Sequence, residues 1–500
     1  ADWFEKNPGL KGNDAKLREY MKNPGWKNGP AILTRCPTYD SNGWLPAISH
    51  GWYATMQEYD GGNKTPFAWE PGYSTGYQVN IQLRKGERLV RNWSNKGLHV
   101  NMPAGGPGCM TLKTGEVFLR YTPATGDLAP GRVGNGTLEY DVPLADGTFR
   151  SGALTAENLA TTADDKQSPA VHVKDAAKDA ILEIRMPSSY VYLTGAVNLK
   201  AAVGAGGSIA IAYSDSNGNT WKDVKTLAEN GEQKVDLTPL CFRRYDYRLR
   251  FTLKGAGTGL DALKISHDIQ HSQRPLPALG QGENKISFSS GAQEGTITIE
   301  PALLTEYQDK QVLFSDFKPD LKNVKSQGGL ALTAPTGDAT FKIATPGEMT
   351  RIRMNAYYRS RHVADVWEFQ VSFDGGKTFK TIGKTDGPGW GPAQNAVANA
   401  STGQNVVANA NTAEVPAGTK EALVRFAGSQ NTVAMLFSLR IDADYKEPKG
   451  GFAPVKVTYQ WEENGAAKQD VKVLTKPEES YTINCDAKPV MKSITLERAD

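Results

Sequence analysis

The chain has 500 residues, 39% of them hydrophobic and 22% charged, so it is long enough for roughly three or four domains with their own cores. Its 57 basic and 54 acidic side chains leave a net charge of +3, which argues against a nucleic-acid binder. No apolar run approaches the ~18 residues that span a bilayer, and 51 glycines with 28 prolines favour a turn-rich β protein over a helical one.

The start, Ala1-Asp-Trp-Phe-Glu-Lys, lacks the charged and apolar regions of a signal peptide. A mature secreted chain lacks them too, and the start also fits the downstream part of a larger secreted protein. Residues 1–110 are expected to form an aromatic-rich, loop-heavy mixed domain, since six of the ten tryptophans lie there: Trp3, Trp26, Trp44, Trp52, Trp69 and Trp93. Asn7-Pro-Gly and Asn23-Pro-Gly mark turns around a short helix over 13–21, capped by Asn13 or Asp14. Residues 36–71 show little periodicity and read as ordered loop. Residues 77–83 and 89–93 alternate as two strands about a turn. A linker or sharp turn at 103–108 leads to a β connector over 111–165, with strands at 117–121 and 137–142.

Beyond it the sequence repeats itself. Ser208-Ile-Ala-Ile-Ala-Tyr-Ser-Asp-Ser-Asn-Gly-Asn-Thr-Trp221 returns as Val366-Trp-Glu-Phe-Gln-Val-Ser-Phe-Asp-Gly-Gly-Lys-Thr-Phe379. Residues 181–187 match 340–346, with Pro187 set on Pro346; 249–251 match 424–426, and 263–265 match 439–441. Alternation with one apolar face in each segment predicts a mainly β fold of tandem, jelly-roll-like β-sandwiches over 166–275 and 326–447. Each is followed by a β appendage, over 276–325 and 448–500. Hairpins are expected between 285–288 and 296–299, and between 455–459 and 471–473. The extra length of the second copy falls in the Gly/Ala/Asn-rich stretch 386–414, within which 395–411 reads as a long surface loop.

Ser372-Phe-Asp-Gly-Gly-Lys-Thr-Phe379 fits the pattern S-x-D-x-G-x-T-[WF] and resembles the Asp-box of sialidase-like and related β-propeller proteins. The first copy departs from it, with Ser216 where Asp374 would be and Asp215 one position earlier. Only two such turns occur, so the resemblance implies a structural hairpin, in which Trp221 and Phe379 plug the two cores. Together with the tandem sandwiches, the turns loosely resemble secreted bacterial modular β-sandwich proteins, which implies an extracellular or cell-surface location.

His50-Gly-Trp52 followed by Asp60, with Cys36 upstream, resembles the H-x-W…D end of transglutaminase-like cysteine enzymes. The resemblance implies Cys36 as nucleophile, His50 as base and Asp60 as orienting acid. A different reading comes from the aromatics Trp52, Tyr53, Tyr59, Trp69, Tyr73 and Trp93, which lie near Arg84, Lys85, Arg88, Arg91 and Lys96. Aromatic faces stack on sugar rings, and guanidiniums bind carboxylates or sulfates as a fork, so a groove with both suits an acidic polysaccharide. Its ligand-binding candidates are Trp52, Tyr53, Trp69, Tyr73, Arg91 and Trp93. A base among His50, Tyr59, Asp60 and His99 would add elimination or hydrolysis. The plainer alternative is a set of core tryptophans beside a solvated basic strand.

No cofactor motif appears. Asp164-Asp165 and Asp442…Asp444 could hold a structural calcium at a sandwich edge, and His267 with His271 reads as strand end and loop, not as a metal pair. Cys36, Cys109, Cys241 and Cys485 lie too far apart for a zinc ribbon or a C-x-x-C motif, leaving buried thiols or long-range disulfides open. The favoured expectation is a secreted or cell-surface protein, not an enzyme, that binds a polysaccharide or cell-surface glycan, or self-assembles through sandwich edges. The alternative is a polysaccharide lyase or hydrolase with its site in the N-terminal domain.

Overall fold

A computed structural model turns the sequence's alternating segments into strands. It describes residues 30–32, 83–92, 136–188, 191–192, 194–241, 244–270, 278–289, 294–299, 319–326, 329–385, 387–398, 414–448 and 451–499. The strands of the first half are β1 (Pro30–Ile32), β2 (Glu87–Asn92), β3 (Gly136–Asp141), β4 (Thr155–Glu157), β5 (Leu159–Thr161), β6 (Val171–Val173), β7 (Ala180–Pro187), β8 (Val191–Tyr192), β9 (Ala196–Ala202), β10 (Ser208–Ser214), β11 (Lys222–Leu227), β12 (Gly231–Asp236), β13 (Asp246–Lys254) and β14 (Gly259–Gln270). The second half holds β15 (Gly282–Ser289), β16 (Glu294–Ile299), β17 (Asp320–Lys322), β18 (Val324–Ser326), β19 (Leu330–Leu332), β20 (Thr336–Ala344), β21 (Met349–Ser360), β22 (Val366–Ser372), β23 (Lys380–Lys384), β24 (Gly389–Ala398), β25 (Glu421–Ser429) and β26 (Ala434–Lys446). The chain closes with β27 (Val455–Glu463), β28 (Ala466–Leu474), β29 (Glu478–Cys485) and β30 (Val490–Arg498). Among the described residues three one-turn helices, α1 (Phe149–Gly152), α2 (Thr162–Asp165) and α3 (Thr238–Cys241), sit in connections.

The mainly β fold is present, and its two halves share one topology. The first sandwich has a five-stranded sheet ordered β11-β10-β13-β7-β4, and the second has β17-β20-β25-β22-β23, the same order read from the other edge. Opposite them, β12-β9-β14-β3 corresponds to β24-β21-β26 with β16 paired on β26. The short β5–β6 pair reaching β14 has its counterpart in β18–β19 reaching β26. The structural duplication therefore starts at β3 and β16, well before residue 181. Glu183 lies opposite Arg250, whereas Thr340 lies opposite Arg425, so the pairing aligns β7 and β20 two residues away from the Pro187–Pro346 match. A slip of two keeps every side chain on its own face of the sheet, which is why alternation did not reveal it.

Alternation names faces but not partners, and two expectations fail on that account. Residues 285–288 and 296–299 do not form a hairpin: β15 pairs with β29 and, in parallel, with β1, while β16 joins β26. Part of the expected loop is strand, since β24 reaches Ala398 and pairs with β21 along its whole length as the counterpart of β12; residues 399–413 lie outside the described residues. The hairpin of β27 with β28 forms with Thr458 opposite Val471. β27 and β30 then continue through β2 and β3 into the first sandwich as one 11-stranded sheet. A ladder of opposite charges crosses this junction, Lys264 to Glu139 at 2.8 Å, Arg88 to Glu497 at 3.4 Å, and Lys456 to Glu497. Like cross-strand pairs in general, each rung adds only a fraction of a kcal/mol, about 0.2–1, but each fixes register.

Two hydrophobic cores fill the sandwiches. The first gathers Leu182, Ile184, Ile211, Tyr213, Leu249, Phe251 and Ile265 and extends to Tyr459 and Leu496 of the joined sheet. The second is built on Phe341, Ile352, Trp367, Phe369, Val424, Phe426 and Ile441. Complete burial of each such side chain is worth about 1.5–3 kcal/mol before entropy is charged against it. No helix among the described residues is long and apolar enough to cross a membrane.

Candidate functional site

The duplicated turns behave alike. After β10, Ser214 Oγ accepts the Gly218 amide at 3.0 Å and Ser216 Oγ accepts the Thr220 amide at 2.8 Å. After β22, Ser372 Oγ accepts the Gly376 amide at 2.9 Å and Asp374 Oδ1 accepts the Thr378 amide at 3.0 Å. Ser216 thus does the work of Asp374. The Thr378 hydroxyl, followed by its amide and the Ser372 hydroxyl, holds the Asp374 carboxyl well below the ordinary range. Trp221 and Phe379 do not plug the cores as expected. Both are half-buried and each carries a guanidinium on its face, Arg250 at 3.8 Å from the Trp221 ring and Arg425 at 3.5 Å from the Phe379 ring.

The sandwiches meet along the outer face of β7–β13 and the β16–β26 edge of the second sandwich. Arg185 of β7 grips Asp246 of β13, with Nη2 to Oδ2 at 2.7 Å, and donates from Nη1 to the Tyr445 hydroxyl at 2.6 Å and from Nη2 to the Thr296 carbonyl. The Thr298 amide donates to Asp246 at 3.3 Å. Asn217, in the first duplicated turn, donates to the Ala344 carbonyl at 2.7 Å and accepts from Arg248. Burial and the Arg185 and Glu447 charges act together on Tyr445, and burial prevails, raising its phenol.

Beside this seam opens a cleft of about 530 Å³. Among the described residues its walls carry Arg84, Arg185, Arg248, Arg250 and Arg498 against Glu183 and Glu447. The Glu183 carboxylate is shared, with Arg248 at 3.1 Å and Arg250 at 2.9 Å, so one negative charge faces two guanidiniums. Burial pulls Arg248 below its ordinary value, and its Nε has no hydrogen-bond partner among the described residues. Arg84 is fixed by Glu87 at 2.9 Å and by the Arg185 carbonyl at 2.8 Å, lying 4.0 Å from the Tyr140 ring centre. Glycine suits the places where these long side chains pass: Gly218 takes φ +82°, and a Cβ on Gly152 would stand 2.7 Å from Arg84. The cleft can hold and orient an anion; no described residue in it forms a nucleophile–base pair.

Of the catalytic and ligand-binding candidates of the N-terminal domain, namely His50, Trp52, Tyr53, Tyr59, Asp60, Trp69, Tyr73, Arg91, Trp93 and His99, only Arg91 falls among the described residues. It is 2% exposed, inside β2 opposite Gly136 and Ile494, with its charge acting on the buried Tyr459 phenol. That places it in the wall of the joined sheet and not in an open groove. Its expected neighbours Arg88 and Lys85 are engaged with Glu497 and Asp146. His50, Trp52, Tyr53, Tyr59, Asp60, Trp69, Tyr73, Trp93, His99, Cys36 and Cys109 lie outside the described residues, as do the helix at 13–21 and the strand at 117–121.

The carboxylates offered for calcium are already engaged. Asp164 closes a capping box on α2 and pairs with Arg150 at 2.5 Å, and Asp165 reaches His172 at 3.0 Å. Asp442 pairs with Arg440 at 3.1 Å, and Asp444 with Arg351 at 3.0 Å and Arg353 at 2.8 Å. Among the described residues no group of three or more potential ligands is assembled for a metal. His267 is a core residue: its Nδ1 donates to the Leu138 carbonyl at 3.1 Å and its Nε2 accepts from the Tyr247 hydroxyl at 2.6 Å. Burial lowers its pKa to about 4. Cys241 and Cys485 are buried free thiols; burial pushes Cys485 up to about 11 and Cys241 higher still, so neither is a ready nucleophile.

No family model matches the chain, and no curated protein does. Solved structures give weak likenesses. The Ruminococcus gnavus β-glucuronidase is 10% identical, with 64% of this chain and 38% of that one covered and a TM-score of 0.14. Isomalto-dextranase of Arthrobacter globiformis T6 is 12% identical, covering 57% and 39%, at 0.16. Allantoicase of Saccharomyces cerevisiae is 9% identical, covering 61% and 92%, at 0.17. The chain spans well under half the length of the first two, and similarity at these scores carries no argument for fold or activity.

Proposed function

We propose that the protein is a secreted or cell-surface binding module for acidic polysaccharides, and that the cleft at the seam is where the polymer's carboxylates are held. The observation that carries this is the shared Glu183: two guanidiniums compete for one carboxylate, leaving positive charge in a partly desolvated cleft. There an incoming carboxylate gains more than it would in water. Trp221 lies under Arg250 and holds its guanidinium in one place, so less freedom is lost on binding. The duplicated turns are read as Asp-box hairpins that place these arginines.

Retention on immobilised polygalacturonate, with amylose as the neutral control, tests the proposal. The chain is expected to be retained on the acidic polymer, to elute with salt, and to lose about tenfold in affinity in Arg250→Ala, the usual scale of one charge-assisted contact. Equal retention on both polymers, or none on either, would overturn it.

A further inference from the structure

We infer that Arg425 of the second sandwich, which occupies the place of Arg250 in the first, is an anion-binding fork that takes the carboxylates of an acidic polysaccharide. The inference rests on the proposed function for its ligand class only; its residues and geometry are its own.

Arg250 and Arg425 occupy the same place in the two copies. Each lies opposite a residue of the turn-bearing strand, Arg250 on β13 opposite Ala212 and Arg425 on β25 opposite Gln370. Each is laid on the aromatic that ends the turn, at 3.8 Å and 3.5 Å. The chemistry around them differs. Arg250 gives Nε and Nη2 to the Glu183 carboxylate, at 3.3 Å and 2.9 Å. Opposite Arg425 stands Thr340, and Arg425 Nε donates instead to the neutral Gln370 Oε1 at 2.6 Å. The Gln370 amide is itself oriented, donating from Nε2 to Glu368 at 2.7 Å and to Thr381 at 3.1 Å. Its oxygen is therefore turned to the guanidinium.

The outcome is a planar cation held on one face by Phe379 and at Nε by Gln370. Among the described residues its two terminal nitrogens have no partner and no carboxylate is paired with it. Two parallel N–H groups at a fixed spacing match the two oxygens of a carboxylate. A uronic acid residue of a polymer supplies that group at each repeat.

The test is calorimetric titration with trigalacturonate and then with polygalacturonate. Wild type is expected to bind two trigalacturonates per chain, and Arg425→Ala and Arg250→Ala one each. For polygalacturonate either substitution should weaken affinity by about tenfold, the scale of one charge-assisted contact. Phe379→Leu keeps the guanidinium and removes its platform; it should weaken the second site severalfold and carries the test if Arg425→Ala fails to fold. Unchanged stoichiometry and affinity in both variants would overturn the inference. If Arg250→Ala leaves the titration untouched while Arg425→Ala removes a site, the cleft reading fails and this one stands. Absence of any binding removes both.

Discussion

The same diagonal ion pair occurs twice in this molecule, once buried and once in water. By strand pairing, Arg185 and Asp246 of the first sandwich occupy the positions of Lys342 and Glu421 in the second. The first pair is 6% and 7% exposed and reaches across to Tyr445, Thr296 and Thr298; the second, at 3.2 Å, is 53% and 65% exposed. Equivalent charges on equivalent strands thus do different work according to what lies over them. In the first copy the outer sheet face has become a seam, with arginine's fork replacing lysine's point charge where several acceptors must be met at once. In the second it remains a solvated surface.

The turns diverge for the same reason. Asp374 is exposed and can stay charged, whereas Ser216 is 0% exposed beside the seam, where a carboxylate would be buried. The hydroxyl keeps the turn's hydrogen bonds without the desolvation penalty. The acid next to it, Asp215, is buried too, but it has Arg244 at 2.9 Å.

Substitutions can break or sharpen this contrast. Arg185→Ala should have the largest effect, about 3–5 kcal/mol in urea unfolding, because it leaves Asp246 buried without its cation. Acid should act next, through His267. Its folded pKa of about 4 lies below the ordinary value of 6.5, so the unfolded chain takes up the proton first as pH falls. The stability it contributes is present above pH 6.5 and is lost on the way down to about 4, on the order of 3 kcal/mol in all. Unfolding curves across that window should show the loss in wild type and a flatter profile in His267→Gln. Ser216→Asp should cost about 2 kcal/mol by burying a charge at the seam. The mirror change, Asp374→Ser, should be mild and should remove a stabilising contribution that is present above the ordinary carboxylate pKa and lost in stronger acid. Smallest of all, Lys342→Ala should change stability by less than about 1 kcal/mol, as exposed pairs do.

Much of the fold was legible in the sequence because alternation and the Gly turns are local signals. The copied hairpins, the apolar faces of β7, β13, β20 and β25, and the β27–β28 hairpin follow from them. Pairing partners were not legible. β15 and β16 look like a hairpin, yet each bonds a strand more than a hundred residues away in sequence, and β24 hides in a low-complexity stretch because its pairing with β21 sets the backbone regardless of side chain. The cleft was missed because its walls come from residues 83 to 498, and Glu183, Arg248 and Arg250 each look like the solvated side of a strand. One signal was available: Ile181-Leu-Glu-Ile-Arg-Met puts an acid and a base into an otherwise apolar strand, which is what a strand with both faces covered needs if one face meets a polar neighbour.

The most direct measurement is a pair of double-mutant cycles, one on Arg185 with Asp246 and one on Lys342 with Glu421, read by reversible urea unfolding. A coupling above about 1.5 kcal/mol for the first pair and within about 0.5 kcal/mol of zero for the second is the predicted result. Equal couplings would mean that the first copy's outer face is as open to water as the second's, and that no closed seam frames the cleft.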